Sequence, residues 1–170
     1  MKIGVISDIH SYKVPEEILK AFKDVDMIIH AGDFCRLAEY NAWKKLKNVK
    51  AVYGNMDEEA LRKQLPEQDI FTIEGWKIGL FHGEGPPKKV FEGVKERFKK
   101  EKCRIVIFGH SHQPLKEEVD GTLYINPGSP TDRICAPCRA YGLLELTPKT
   151  IKAEIIKLAD SGEKTNQLVK

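Results

Sequence analysis

Several features that define other classes of protein are missing from this sequence of 170 residues. No apolar run approaches the roughly 18 residues that a membrane-spanning helix needs. The opening stretch MKIGVISDIH reads as a strand and lacks the apolar core of a signal peptide. The net charge of +3 is too mild to indicate binding to nucleic acid or to an acidic membrane surface. We therefore expect a cytoplasmic protein that does not contact a membrane, and the composition does not favour nucleic acid as a partner.

A disulfide framework is also missing. The four cysteines, Cys35, Cys103, Cys135 and Cys138, are too few to staple a chain of this length. Cys135 and Cys138 have the spacing of a redox pair or of half a zinc site. A structural zinc site needs a second such pair, and the sequence does not contain one. We interpret this segment as an ordinary loop, with a disulfide or a metal site as the alternatives.

Strand-like and helix-like segments alternate through the first two thirds of the sequence, which favours βαβ units and a largely parallel sheet. The predicted strands are KIGVIS, DMIIHAG, VKAVYG and RIVIFGH. The predicted helices are VPEEILKAFK, AEYNAWKKLK, MDEEALRKQL and KKVFEGVKERFKK. In the first helix, Ile18, Leu19 and Phe22 are expected to share the buried face. In the last helix, Val90, Phe91, Val94 and Phe98 share one.

Three hairpins break this alternation. They are predicted to turn at Glu74-Gly75, at Asp120-Gly121 and at Thr147–Thr150. Hairpins combined with parallel units indicate two mixed sheets packed face to face, with helices on the outside. We expect one domain over residues 1–160 and a polar, frayed tail over residues 161–170.

Polar residues that can bind metal ions follow the ends of five predicted strands. They form the groups Asp8-x-His10, Gly32-Asp33, Gly54-Asn55, His82-Gly83 and Gly109-His110-Ser111-His112. From Asp8 to Asp33, Asn55, His82 and His110 the steps are 25, 22, 27 and 28 residues, one structural unit each. Because ligands gather beyond the carboxyl ends of strands in open α/β sheets, these groups are expected to converge on one crevice.

Each of these groups is a weak signal alone. An Asp-x-His is often a turn, and a Gly-Asp after a strand is often a helix cap. Together they offer two carboxylates, four imidazoles and one amide, all of them nitrogen or oxygen donors. That set suits two divalent ions such as Mn, Fe, Co, Ni or Zn. The alternative, five unrelated turns, requires a coincidence at five places.

The ordered pattern DxH, GD, GN, HG and GHxH resembles the calcineurin-like metallophosphoesterase superfamily. The length, the absence of cap insertions and the stretch INPGSPTDR resemble its small YfcE-type bacterial and archaeal phosphodiesterases. The resemblance spans about residues 1–146. It implies a four-layer α/β/β/α sandwich, in agreement with the strands predicted from the residues, and hydrolysis of a small phosphodiester substrate.

The resemblance also implies two divalent metal ions, with Mn or Ni favoured. The first ion is expected to bind Asp8, His10, Asp33 and His112, and the second Asp33, Asn55, His82 and His110. The two aspartates neutralise only part of the positive charge of two divalent ions, so the site attracts a phosphate ester. A metal-bound water has a pKa near 7, so a hydroxide between the ions can serve as the nucleophile. The expected catalytic residues are Asp33, Asn55 and His110.

Met56 departs from the pattern of most of the superfamily, which has a histidine after the asparagine, with an acidic residue next to it. That histidine is thought to protonate the leaving oxygen or to steady the developing charge. A thioether cannot donate a proton, and proton transfer is typically worth about 10²–10⁴-fold in rate. The YfcE-type branch also lacks this histidine. We therefore expect hydrolysis of diesters with good leaving groups and weak action on alkyl monoesters.

Three further polar residues near the predicted site have two interpretations each. Asp57 follows Met56 and is either a residue of the site or, as we favour, the N-cap of the next helix. Arg36 either contacts a substrate oxygen or lies on the surface. His30, inside a strand just before Gly32-Asp33, is interpreted as packed behind the ligands rather than as a ligand.

Other residues are expected to support the site. Ser7 and Ser111 lie beside predicted ligands in sequence and can orient them. By resemblance only, Asn126 and Arg133 of the INPGSPTDR stretch shape or rim the site.

Two rival functions remain. The vacuolar-sorting subunit of retromer has the same fold but acts as a scaffold with a degraded metal site, whereas this sequence keeps all seven ligand positions. A nucleotide or nucleic-acid phosphoesterase is the enzymatic rival, and the mild charge and short chain argue against it. The sequence is compatible with a homo-oligomer.

Overall fold

Residues 1–159, the part of the chain that this computed structural model describes, form ten strands and four α-helices. The strands are β1 (Lys2–Ile6), β2 (Met27–His30), β3 (Asn48–Ala51), β4 (Gln68–Ile73), β5 (Trp76–Phe81), β6 (Ile105–Ile107), β7 (Leu115–Val119), β8 (Thr122–Asn126), β9 (Ala140–Leu146) and β10 (Ile151–Lys157). The α-helices are α1 (Glu16–Ala21), α2 (Leu37–Leu46), α3 (Glu59–Arg62) and α4 (Val90–Phe98). The tail expected at 161–170 lies outside the described residues.

The strands form two five-stranded mixed sheets. The first has the order β10-β9-β1-β2-β3, with β1, β2 and β3 parallel and the hairpin β9-β10 added antiparallel to β1. The second has the order β4-β5-β6-β8-β7, in which β5, β6 and β8 are parallel. Each sheet therefore contains three adjacent parallel strands, and the carboxyl ends of these strands lie at one end of the sheet.

Side-chain alternation along the strands builds the layers. Ile3 and Val5 of β1 point between the sheets, where they pack in one cluster with Ile78 and Leu80 of β5. Ile6 lies in a second cluster with residues of α1, α2 and α3 on the outer face of the first sheet. A third cluster joins α4 to the outer face of the second sheet. Each buried aliphatic side chain contributes roughly 1.5–3 kcal/mol, so these three clusters fix the predicted α/β/β/α sandwich, which is confirmed.

The three predicted hairpins are present. Glu74-Gly75 and Asp120-Gly121 both have two consecutive positive φ angles, 51° and 85° in the first and 49° and 77° in the second. This is the backbone of the two-residue turns that match the twist of paired strands. The turn at Thr147–Thr150 is closed by a hydrogen bond of 3.0 Å from the Thr147 N–H to the Thr150 carbonyl.

Two details of the helix predictions are wrong. Leu19 is 37% exposed rather than buried, because it directly follows the buried Ile18 and so points about 100° away from it around α1. The helix predicted as MDEEALRKQL is a single turn, α3, and begins only at Glu59. Within residues 1–159, no helix is long and apolar enough to cross a membrane.

Candidate metal centre

The seven predicted ligand side chains lie together where strands of both sheets end. They follow β1, β2 and β3 of the first sheet and β5 and β6 of the second: Asp8, His10, Asp33, Asn55, His82, His110 and His112. Asp8, Asp33 and His82 are buried, and the others are open to solvent to different degrees. The site is thus a crevice with a buried anionic floor.

Five of these seven residues have a backbone in the left-handed region. The φ angles are 57° at Asp8, 52° at His10, 61° at Asp33, 65° at His110 and 54° at His112. Non-glycine residues rarely adopt this region, and each such residue costs roughly 1–3 kcal/mol. The conformation turns each side chain sharply from its strand end into the crevice. Such concentrated strain persists only where the surrounding structure holds it, and it is typical of functional sites.

One group of donors surrounds Asp8. The His112 Nε2 lies 3.3 Å from Asp8 Oδ1, and the His10 Nε2 lies 3.7 Å from the same oxygen. The two Nε2 atoms are 3.0 Å apart. One ligand atom from each of the three residues falls within 4.8 Å of the others, the spacing that a single metal ion requires.

A second group surrounds Asp33. The His82 Nε2 lies 3.4 Å from Asp33 Oδ2 and 3.1 Å from Asn55 Oδ1. The His110 Nδ1 lies 2.8 Å from the same amide oxygen. Asp33 Oδ2 is also 3.8 Å from the His10 Nε2, so Asp33 lies between the two groups.

Three of the four imidazoles have their outward nitrogen held by a group that can only accept a hydrogen bond. His82 Nδ1 is 2.7 Å from the Ala31 carbonyl, and His110 Nε2 is 2.9 Å from the Gly85 carbonyl. His112 Nδ1 is 2.5 Å from Asp132 Oδ2. Each acceptor requires a proton on that nitrogen, so the nitrogen that faces the crevice is the one left to bind a metal ion. This is how proteins orient metal-binding histidines.

Asp8 provides the sharpest sign that a cation belongs here. Its Oδ1 is buried and has no hydrogen-bond donor among the described residues, whereas Oδ2 accepts the His110 N–H at 3.0 Å. Burial opposes ionisation, but the close approach of His112 and the charges of His82 and His112 outweigh it and lower the pKa of Asp8 to about 2. A buried carboxylate oxygen without a donor is costly unless a cation pairs with it.

The two aspartates also act on the histidines. Burial disfavours protonation of His82, but its contacts with Asp33 and Asp8 outweigh burial and raise the pKa of His82 to about 9. The pKa of His112 is likewise raised to about 9 against the effect of burial, by Asp8 and Asp132. Both shifts express the same excess of negative charge in the crevice, which a divalent cation satisfies.

Asp57 is not the N-cap that its position predicts. The N-cap of α3 is Glu58, which makes no side-chain capping bond. The Asp57 carboxylate instead accepts the backbone N–H groups of Asp33, Cys35 and Gly54, at 3.1, 2.6 and 2.8 Å. The loops after β2 and β3 are therefore fastened to one buried carboxylate. Burial raises the pKa of Asp57 from its ordinary value.

Met56 contributes its backbone to the site rather than its side chain. Its N–H donates to Asp33 Oδ1 at 2.8 Å, while the thioether side chain is 57% exposed. This bond fixes one oxygen of Asp33 and leaves the other to face His82 and His10. Any residue except proline could supply that N–H, so the sequence position tolerates methionine.

Asp132 is the residue that sequence reasoning missed. Its Oδ1 accepts the N–H groups of Ile134 and Cys135 at 2.8 and 2.9 Å, and its Oδ2 contacts His112. Its N–H donates to Ser129 Oγ, which in turn donates to the Asp8 carbonyl at 2.7 Å. The only signal was an acidic residue beside the Asn-Pro-Gly-Ser stretch, and its partner 20 positions earlier could not be read from spacing.

The remaining predicted residues have definite places. His30 is fully buried, stacks on Phe34 with ring centroids 3.5 Å apart, and is kept neutral because burial lowers its pKa to about 3. Asn126 Nδ2 donates to the Gly109 carbonyl at 2.8 Å and to Ser111 Oγ at 3.0 Å, which braces the loop of His110 and His112.

Four other residues named in the sequence analysis lie at the margin of the site. Ser7 lies behind Asp8, and its hydroxyl is 3.4 Å from the Gly32 carbonyl. Arg36 is exposed at the start of α2. Cys135 and Cys138 are free thiols in the loop before β9, where the structure has neither helix nor strand.

Comparison with known proteins identifies this arrangement. The sequence profile of the calcineurin-like phosphoesterase superfamily domain matches residues 1–149, which include every residue of the crevice. The chain belongs to that superfamily. Its members are phosphoric ester hydrolases that use divalent metals, and the resemblance inferred from the motifs is confirmed.

The phosphoesterase has relatives among archaeal proteins. It is 35% identical over 162 residues to a Methanothermobacter thermautotrophicus protein named a probable metallophosphoesterase, and the match covers 92% of both chains. Its structure also superimposes on that of an archaeal phosphodiesterase, with a TM-score of 0.75 and 28% identity, over 92% of this chain and all of the other.

A third likeness is to a vacuolar sorting protein. Vps29 from Entamoeba histolytica, solved with Zn²⁺, matches 92% of this chain and 99% of its own with a TM-score of 0.75 and 26% identity. The same fold therefore occurs in a protein named as a phosphodiesterase and in one named as a sorting protein. The fold alone does not distinguish these two functions, so the distinction depends on the residues of the crevice.

Proposed function

We propose that this phosphoesterase is a binuclear metal-dependent phosphodiesterase that acts on small phosphodiesters with good leaving groups. The observation that carries this proposal is the convergence of seven nitrogen and oxygen donors on a crevice whose buried Asp8 Oδ1 has no donor within residues 1–159. Mn or Ni is the metal that we favour, among Mn, Fe, Co, Ni and Zn.

The donors divide into two sets that share one carboxylate. One ion would be held by Asp8, His10, Asp33 and His112, and the other by Asp33, Asn55, His82 and His110. When bound, the ions supply Lewis-acid stabilisation of the phosphoryl oxygens and a water acidic enough to attack near neutral pH. A neutral amide at Asn55 keeps the net charge of the site positive, which favours a phosphate anion.

The protein's own groups hold this arrangement in place. Asp57 and the Met56 N–H fix Asp33, and the His110 N–H fixes Asp8. The carbonyls of Ala31 and Gly85 set the tautomers of His82 and His110. Because Met56 offers no proton to the leaving oxygen, substrates whose leaving groups need one are expected to react slowly.

The test is to strip the protein of metal and to measure hydrolysis of bis(p-nitrophenyl) phosphate after adding back Mn, Ni, Co, Mg or Zn. We expect activity with at least one of these ions and almost none without metal. An alkyl phosphate monoester should be cleaved roughly 10²-fold more slowly or worse, because proton donation is typically worth that much.

The His110→Ala variant is the control for a contaminating phosphatase, and it should lose the diester activity. Equal rates for alkyl monoesters and aryl diesters would contradict the interpretation of Met56. No turnover with any metal would contradict the proposed function.

Asp132 gives a separate prediction about metal affinity. Replacing Asp132 with Asn removes the charge that orients His112 and strengthens its Nε2 as a ligand. We expect binding of Mn²⁺ to weaken by about 10–100-fold, the usual effect of losing such a partner. Calorimetric titration of metal-stripped protein measures this directly. Asp24→Asn, which removes a charge on the exposed surface, should leave the affinity unchanged, and an unchanged affinity in Asp132→Asn as well would contradict the assignment.

A scaffold function is the second candidate, favoured by the likeness to Vps29. A scaffold function predicts that His110→Ala leaves partner binding intact, because a scaffold depends on its protein-binding surface rather than on its metal-ligand side chains. The buried, strained ligand set is costly to maintain, and this favours the enzyme.

A further inference from the structure

A cleft of about 590 Å³ opens directly beside the metal centre. His10 and His112 form its inner end, and the loops 11–15 and 130–135 form its two sides. Its volume falls in the range of about 300–1,000 Å³ that is usual for small-molecule sites. Because it shares two side chains with the crevice, a phosphoryl group bound there would extend one of its ester groups into this cleft.

The sides of the cleft carry two of the most exposed apolar side chains among the described residues. Tyr12 is 69% exposed and Ile134 is 93% exposed. Single exposed apolar residues are ordinary, but these two line the same cleft, together with Pro15 and Pro130. An aromatic face, an aliphatic side chain and two proline rings form a surface suited to a flat apolar group.

Hydrogen bonds within the protein hold the backbone on both sides of the cleft. Asp132 Oδ1 accepts the N–H groups of Ile134 and Cys135. On the opposite side, the Tyr12 N–H donates to the Ile9 carbonyl at 3.1 Å, and the Ser11 hydroxyl donates to Glu39 at 3.1 Å. A preformed cleft loses little entropy when it binds a small ligand.

The charges at the cleft favour a small anion over an apolar protein surface. Lys13 and Arg133 line it, both are exposed, and neither forms an ion pair with any residue in 1–159. Two unpaired cations beside an apolar surface match a ligand that is both flat and negatively charged. An aromatic ester of phosphate has that combination.

We propose that this cleft is the subsite for an aromatic ester group, so that the enzyme selects phosphodiesters carrying a planar ring, such as an aryl group or a nucleobase. Tyr12 and Ile134 are the specificity-determining residues. The inference rests on the proposed phosphodiesterase function and goes beyond it by naming the substrate class.

The experiment compares two competitive inhibitors of diester hydrolysis, phenyl phosphate, whose ester group is an aromatic ring, and methyl phosphate, whose ester group is a single methyl. We expect phenyl phosphate to have an inhibition constant roughly tenfold lower in the wild-type enzyme. In Tyr12→Ala and in the double variant Tyr12→Ala/Ile134→Ser, this ratio should fall to near one. Tyr12→Phe keeps the ring and should keep the ratio.

Leu46→Ala is the matched control, since Leu46 is also exposed, at 61%, but does not line the cleft. Equal inhibition constants in the wild-type enzyme, or an unchanged ratio in the double variant, would overturn the subsite while leaving the phosphodiesterase intact. Absence of diester hydrolysis with every metal would overturn the proposed function and the subsite with it.

Discussion

Replacing Asp33 with Asn is expected to reduce kcat/KM for an aryl phosphodiester by roughly 10³-fold, about 4 kcal/mol of transition-state stabilisation. Asp33 Oδ2 faces both His10 and His82, and its carboxylate is the one group between the two sets of donors. An amide has nearly the same size but less negative charge, and its NH₂ group cannot bind a cation. The measurement is steady-state hydrolysis together with metal content per chain.

The fold should survive this change, because Asp33 packs in a polar crevice and the amide oxygen can still accept the Met56 N–H. Circular dichroism and thermal unfolding therefore serve as the check on structure. Asp24→Asn again serves as the surface control and should keep full activity. Activity within tenfold of the wild type in Asp33→Asn would mean that Asp33 is not shared between two ions.

Replacing Gly54 with Ala is expected to reduce activity by roughly 10²-fold, although no ligand is altered. A Cβ at position 54 would overlap the Asp33 side chain and crowd the Asp33 backbone nitrogen, so the carboxylate must move. A displacement of about 1 Å in a reacting geometry can cost 10²-fold in rate. Metal content and kcat measured on the same preparation show whether the loss follows the displaced ligand.

Gly93→Ala is the matched control for this substitution. Gly93 lies within α4, and a Cβ there would have no heavy atom within 4 Å apart from its local backbone. We expect unchanged activity and a gain of roughly 0.5–1 kcal/mol in the free energy of unfolding, because alanine favours the helix. Full activity in Gly54→Ala would contradict the requirement that the backbone at position 54 lies close against the Asp33 side chain.

Much of the fold was predictable because its signals are local. The parallel strands, the two-residue turns at Glu74-Gly75 and Asp120-Gly121, and the helix face of Val90, Val94 and Phe98 each follow from periodicity or turn chemistry. The gathering of the seven polar residues followed from one further rule, that parallel strands end at the same edge. The metal roles of these residues stay a prediction.

What could not be predicted depends on contacts between distant segments. Asp57 looked like a helix N-cap because it directly precedes the predicted helical stretch EEALR. In the structure its carboxylate instead accepts three backbone N–H groups from two loops. Asp132 gave no local signal for its contact with His112. The cleft between Tyr12 and Ile134 is formed by two loops that are distant in sequence, so only the folded structure reveals it. Local rules describe none of these contacts.

The ligand positions are spread over most of the chain, which has a consequence for how the protein is made. His10 and His112 are 102 positions apart, and the Ser129 hydroxyl reaches the Asp8 carbonyl across 121 positions. Strand β1 pairs with β9, so β1 has one unpaired edge until β9 has been synthesised. Contacts between residues that are more than 100 positions apart in sequence form slowly. A ribosome must therefore release nearly the whole domain before catalysis can begin, and enzymatic activity reports the last stage of folding rather than the first.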